Sequence, residues 1–176
     1  MKKTLLCSIL LLTGQAYADF SREQVIGKWI CAADMTESLT EEDSNSSHST
    51  MVGASLAEYT GTGFSSEKVV VSLIMNTPDK IKFTYKIEAD GSWKLASNNR
   101  LESEIKSVKV HKIHDAATRK KIATSKEIRE MEEELYKFIS DTKKINEENI
   151  PDIIIELEND SMRLQGESVL TVCTRI

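Results

Sequence analysis

The side chains able to do chemistry in this 176-residue chain are three histidines, three cysteines and a surplus of carboxylates. His111-x-x-His114-Asp115 comes nearest to a metal motif. A zinc site needs at least three convergent ligands, and residues three apart on a strand point to opposite faces. The pair therefore reads as two surface histidines. His48 falls in a polar stretch and reads as solvated. Glu41-Glu42-Asp43 lacks the glycine-punctuated ligand loop of a calcium site. Serines are plentiful, but the sequence holds neither a Gly-x-Ser-x-Gly elbow nor a glycine-rich phosphate loop. Glu102 and Glu104 share a strand face and read as charged exterior. No nucleophile, base and orienting group combine into a set. The expectation is a non-enzymatic protein without metal or cofactor.

The cysteines depend on compartment. Lys2 and Lys3, the apolar run Leu5–Leu12 and the small residues of Ala16-Tyr17-Ala18 have the layout of a secretory signal peptide. The apolar run is too short to span a bilayer, which takes about 20 residues. Cys7 is not preceded by the small residues that lipid attachment needs. Residues 1–18 thus read as a signal and 19–176 as a single domain. The short basic n-region points to bacterial export, into the periplasm or the exterior. Cys31 and Cys173 remain, and an oxidising space favours their pairing. The bridge would tie the first strand to the last and, on the chain-entropy model, be worth about 5 kcal/mol at most. A redox pair is the alternative, but such pairs usually stand as Cys-x-x-Cys.

The chain holds 23 Lys+Arg against 28 Asp+Glu, a net charge of −5, which loss of Lys2 and Lys3 deepens to −7. Nucleic-acid binding needs clustered cations, so it is not expected. No second apolar run reaches membrane length, so no membrane span is expected either.

Strand signals must position whatever chemistry exists. Gly27–Ala33 reads as the first strand, after one helical turn around Ser21–Gln24. Residues 35–50 are almost wholly polar and read as a solvated loop. Met51–Tyr59, a Gly61-Thr62-Gly63 turn and β-branched Lys68–Met75 follow, with a further turn at Thr77-Pro78-Asp79-Lys80. Ile81, Phe83, Tyr85 and Ile87 alternate with polar residues, as in a half-buried strand. Asp90-Gly91 reads as a two-residue hairpin turn, with Trp93 and Leu95 on the returning strand. Leu101–Ile113 switches parity around Lys106-Ser107, which predicts a bulge. Ile153–Glu158 and Met162–Leu164 pair across Asn159-Asp160, and Val169–Arg175 is the last strand. Between them, Ile128, Met131, Leu135, Phe138 and Ile139 recur at helical spacing over about 125–145. Thr124 and Glu127 suggest its capping box, Lys143-Lys144 its end, and Glu130, Glu132, Glu133 and Glu134 an acidic outer face. The fold class is mainly β: an antiparallel barrel or curved sheet of 8–9 strands with one inserted amphipathic helix.

Gly27-x-Trp29 at the first strand, with Arg175 in the last, resembles the signature of lipocalins and related calycins. Cys31 and Cys173 extend the likeness to small exported bacterial lipocalin-like domains. The resemblance implies a structural role for Gly27, Trp29 and Arg175, with Trp29 closing the barrel floor under the Arg175 guanidinium. It also makes the interior the default site. The inward set gives the candidate lining Val69, Val71, Leu73, Phe83, Tyr85, Ile87 and Trp93. The leading expectation is a binding protein for a small apolar ligand. The alternative is a protein partner, met through the acidic helix face and the 35–50 loop, around a core packed solid by side chains.

Overall fold

The computed structural model describes residues 20–34, 49–75, 80–167 and 169–176. The signal segment, Cys7, residues 35–48 with their acidic run and His48, and most of the Thr77–Lys80 turn lie outside these. Eight antiparallel strands close into a ring in chain order. They are β1 (Gly27–Asp34), β2 (Ser49–Tyr59), β3 (Phe64–Met75), β4 (Ile81–Ala96), β5 (Arg100–Lys112), β6 (Asp152–Leu157), β7 (Ser161–Gln165) and β8 (Leu170–Arg175). One helical turn, α1 (Arg22–Val25), precedes β1. Three helices lie between β5 and β6: α2 (Ala116–Thr124), α3 (Lys126–Ser140) and α4 (Thr142–Glu148).

The barrel is lopsided. β3, β4 and β5 run 12, 16 and 13 residues, whereas β6, β7 and β8 run 6, 5 and 6. At about 3.3 Å per residue the long strands overshoot the short ones by some 20 Å. The overshoot exposes an apolar inner face, and the helical segment covers it. β5 pairs with β6 only through Arg100↔Ile153 and Leu101↔Asp152. Further along, α4 covers the free edge of β5. The Asn146 side chain accepts from Ile105 N at 2.9 Å and donates to Ile105 O at 2.8 Å, as a neighbouring strand would.

One end of the barrel is tied together where β1 meets β8. Cys31 and Cys173 stand opposite one another across β1 and β8 and form the disulfide. The Arg175 guanidinium lies 4.2 Å from the centroid of Trp29. It also donates to the carbonyls of Asn159 at 2.7 Å, Ile26 at 2.7 Å, and Gln24. Trp29 Nε1 donates to Val25 O at 2.9 Å. One cation thus joins α1, the β6–β7 turn and the floor indole. A Cβ on Gly27, whose φ is +148°, would stand 2.7 Å from that guanidinium, so this position needs glycine.

Asp90-Gly91 is not a turn: β4 runs unbroken through it, from Ile81 to Ala96. A Cβ at Gly91 would stand 2.2 Å from Glu104 O. This glycine serves close strand approach beside the expected bulge, where Lys106 is the extra residue between Ile105↔Gly91 and Ser107↔Asp90. The chain reverses instead at Ser97–Asn99, with Asn98 and Asn99 at φ 59° and 57°. Asparagine tolerates that conformation better than most residues. The bulge restores parity, so Ile105, Val108 and Val110 all share the inward face.

The amphipathic segment is longer and more broken than the expected single helix. Ser125, not Thr124, caps α3, accepting from Ile128 N at 3.3 Å. Thr124 Oγ1 turns back to Lys120 O at 3.0 Å. Asp141 interrupts the run by capping α4 through the amides of Lys143 and Lys144. Those two lysines therefore open a helix rather than close one.

Candidate functional site

Alternation along β4 turns Ile81, Phe83, Tyr85, Ile87, Ala89, Gly91, Trp93 and Leu95 inward, and this single strand crosses the whole interior. At the floor, Trp93 belongs to a core with Trp29, Leu101, Ile154, Met162, Leu164 and the disulfide. At the mouth, Ile81, Phe83 and Tyr85 are fully covered by Val71, Leu73, Ile87 and the apolar side chains of α2 and α3. Six of the seven lining candidates therefore lie in the two apolar cores, five beneath the helices and Trp93 at the opposite end. Val69 sits between them, in register with Ser55 and Ile87.

The belt between the cores is different in kind. Glu67 shares the inward parity of Val69, Val71 and Leu73, and its register neighbours are Ala57 and Ala89. Both neighbours have small side chains. Glu67 is exposed by surface area, yet the protein packed around its carboxyl raises the pKa by desolvation, with only partial relief from a Ser55 hydrogen bond. Asp152, inward on β6 beside Leu101, is raised by burial and then by the Glu67 charge. Tyr59 packs edge-on against Trp93 at 5.3 Å. Its hydroxyl is pushed up by burial, then by Glu67 and Asp152. Two carboxylates and a phenol thus face one another electrostatically across the interior.

The mouth is held by a second polar group. Glu132 projects from α3 onto the sheet and is 2% exposed. Its Oε1 accepts from Tyr85 Oη at 3.1 Å and from His114 Nε2 at 3.2 Å, and its Oε2 accepts from Lys112 Nζ at 2.7 Å. His114 Nδ1 accepts the Thr84 amide hydrogen at 3.0 Å, which places the ring hydrogen on Nε2, toward Glu132. Burial raises the Glu132 pKa, but the hydrogen bonds from Lys112, His114 and Tyr85 together outweigh it, and the net shift is downward. The Tyr85 hydroxyl is raised by burial and by that carboxylate. The cluster is a latch: an ionised acid on the helix held by three donors on the barrel.

Two expectations are corrected here. His114 is not a surface histidine; it is 4% exposed, between Phe83 and Tyr85. His111 is exposed as expected. Glu132 does not belong to the acidic outer face, whereas Glu130, Glu133 and Glu134 do. Phe138, expected inward, is partly exposed at 36%. The sequence carried a signal for Glu132, which lies four residues after Ile128 and three before Leu135, on the apolar stripe of α3. Glu67 is likewise marked by its parity with Val69 and Val71.

Beside the latch, a cavity of about 380 Å³ is lined by Lys112, His114, Arg119, Ile122, Ala123, Arg129 and Glu132. Among the described residues no group of three or more His, Cys, Asp or Glu side chains is arranged to hold a metal ion. No helix among them is long and apolar enough to cross a membrane. No protein-family model and no curated protein matches this chain.

Proposed function

We propose that this chain is an exported, non-enzymatic binding protein of lipocalin-like design, holding a small ligand between its barrel walls. The observation that carries the reading is the belt at Glu67: a barrel with apolar cores at both ends and a polar, small-residue zone between them. The ligand that suits it has a compact apolar body for Val69 and Ile87 and a hydrogen-bond-donating or basic end for Glu67, Asp152 and Tyr59. The disulfide supports an oxidising compartment, and the floor clamp supports the lipocalin-like relationship. Native mass spectrometry of the protein, recovered from the exported fraction without refolding, tests the reading. A stoichiometric small-molecule adduct that is lost in Glu67→Gln sustains it. A bare chain that also fails to take up a panel of alkylamines and apolar alcohols overturns it.

A second reading, a protein-interaction module, draws on the outer wall. Ile30, Leu56, Val70 and Val172 lie 37–50% exposed on the adjoining strands β8, β1, β2 and β3. Contiguous exposed apolar surface of this kind marks interaction sites. It is a better basis for a partner than the acidic face of α3, whose Lys126–Glu130 pair is well solvated. Loss of a co-purifying partner in Ile30→Glu, with an unchanged melting temperature, would favour this reading.

A further inference from the structure

The cavity beside the latch carries an inference of its own, independent of the barrel interior. We infer that it is a binding site for a small organic oxyanion, a carboxylate or a phosphate ester with a short apolar tail. Three cations, Lys112, Arg119 and Arg129, converge on it from β5, α2 and α3, against the single carboxylate of Glu132. That local excess of positive charge stands in a chain whose net charge is −5. Clefts lined by one sign of charge focus the field and concentrate the opposite ion.

The three cations are not equally engaged. Lys112 is held by Glu132 at 2.7 Å and lies 4.3 Å from the Tyr136 ring centroid. Arg119 uses one nitrogen on His114 O at 2.6 Å, which fixes its guanidinium at the cavity wall, and its fork carries further N–H donors. Arg129 makes no ion pair or side-chain hydrogen bond among the described residues, and it is exposed at the cavity rim. One braced guanidinium and one free one on facing helices suit the two-pronged recognition of a carboxylate or phosphate. Glu132 and His114 form a rigid floor because both are buried and hydrogen-bonded to each other. Ile122 and Ala123 supply an apolar wall for the tail. The volume lies within the range of small-molecule sites.

The test uses the mature, disulfide-bonded protein, titrated at neutral pH with hexanoate and with hexyl phosphate, followed by amide chemical shifts. Hexanol and hexylammonium serve as controls. Saturable binding of either anion is expected, with shifts centred on residues 112–132, weakening as sodium chloride is raised. The tighter of the two names the head group. Arg129→Gln should weaken binding about tenfold, and Glu67→Gln should leave it unchanged. Absence of saturable binding by both anions overturns the inference, as does binding that Arg129→Gln leaves intact. Shifts centred on the interior strands and abolished by Glu67→Gln would assign the anion to the barrel and overturn it as well.

Discussion

Replacing Glu132 with alanine removes one acceptor from three donors, and the three do not respond alike. The Lys112 ammonium is 40% exposed on its side chain and returns to water, so its share is small. Tyr85 and His114 are 1% and 4% exposed, and neither has an alternative acceptor within the cluster. A buried donor left without a partner costs about 1–3 kcal/mol, so the two together cost about 2–6 kcal/mol. At about 2–4 °C per kcal/mol for a domain of this size, the melting temperature should fall on the order of 10 °C. Glu132→Gln keeps one carbonyl for Tyr85 and His114 but turns an NH₂ toward Lys112, so its loss should be under half as large. Urea unfolding of the oxidised protein at neutral pH, followed by Trp29 and Trp93 fluorescence, measures both. The wild-type Glu132 pKa lies below its ordinary value of 4.5. Its contribution is therefore complete above that pH and is lost as pH falls through the lowered value. Glu132→Gln should flatten this acid limb. A loss below about 1 kcal/mol for alanine, or an acid limb unchanged in the glutamine variant, refutes the latch.

Glu67→Gln and Asp152→Asn should act in the opposite sense. Their carboxyl pKa values lie above the ordinary 4.5 and 3.8. The folded chain therefore binds those protons more tightly, and stability declines as pH rises through the raised values. The neutral variants should be more stable than wild type at pH 7 in the same urea assay; a less stable pair would mean that the belt carboxylates have partners holding their charge. Gly91→Ala places a methyl group 2.2 Å from Glu104 O, which neither strand can concede. It should lose about 3 kcal/mol or more, whereas Gly61→Ala, with only the Ile26 Cδ1 at 3.5 Å, should lose far less; equal losses would contradict the close-approach role. Reduction of Cys31–Cys173, which are 142 residues apart, should cost up to about 5 kcal/mol by the chain-entropy account, and a reduced protein with the oxidised midpoint would contradict it.

The parts of the fold that were legible in the sequence rest on local periodicity. Ile81–Ile87 alternate because one face is buried and the other solvated, and that pattern needs no knowledge of the partner strands. The Lys106 bulge was legible for the same reason, as a parity change within one strand. Asp90-Gly91 misled because glycine has two uses. Positive φ at a turn and the absence of a Cβ at a close contact look identical until β5 is in place. The division of the helical segment was hidden because Asp141 reads as one more polar residue until its carboxylate is seen accepting from Lys143 and Lys144. His114 and Glu132 form a site only because α3 folds back over β4, and the acidic neighbours of Glu132 disguised it as part of a solvated face.

The ends of this barrel are closed by unlike chemistry, and the difference bears on how a ligand could reach the belt. The floor joins a disulfide, a cation–π contact and three carbonyl acceptors around Arg175, none of which titrates between pH 4 and pH 8 by its ordinary chemistry. The mouth depends on an apolar helix face and one carboxylate. Between β5 and β6 the wall itself is thin, joined by two residue pairs and the side chains of Asn146 and Asn149. On the proposed function, a ligand would enter past α3 and α4, where the wall is joined least, rather than through the floor. The cationic cavity lies on the helical cover, between α2 and α3, so an anion seated there would brace the helices against the barrel.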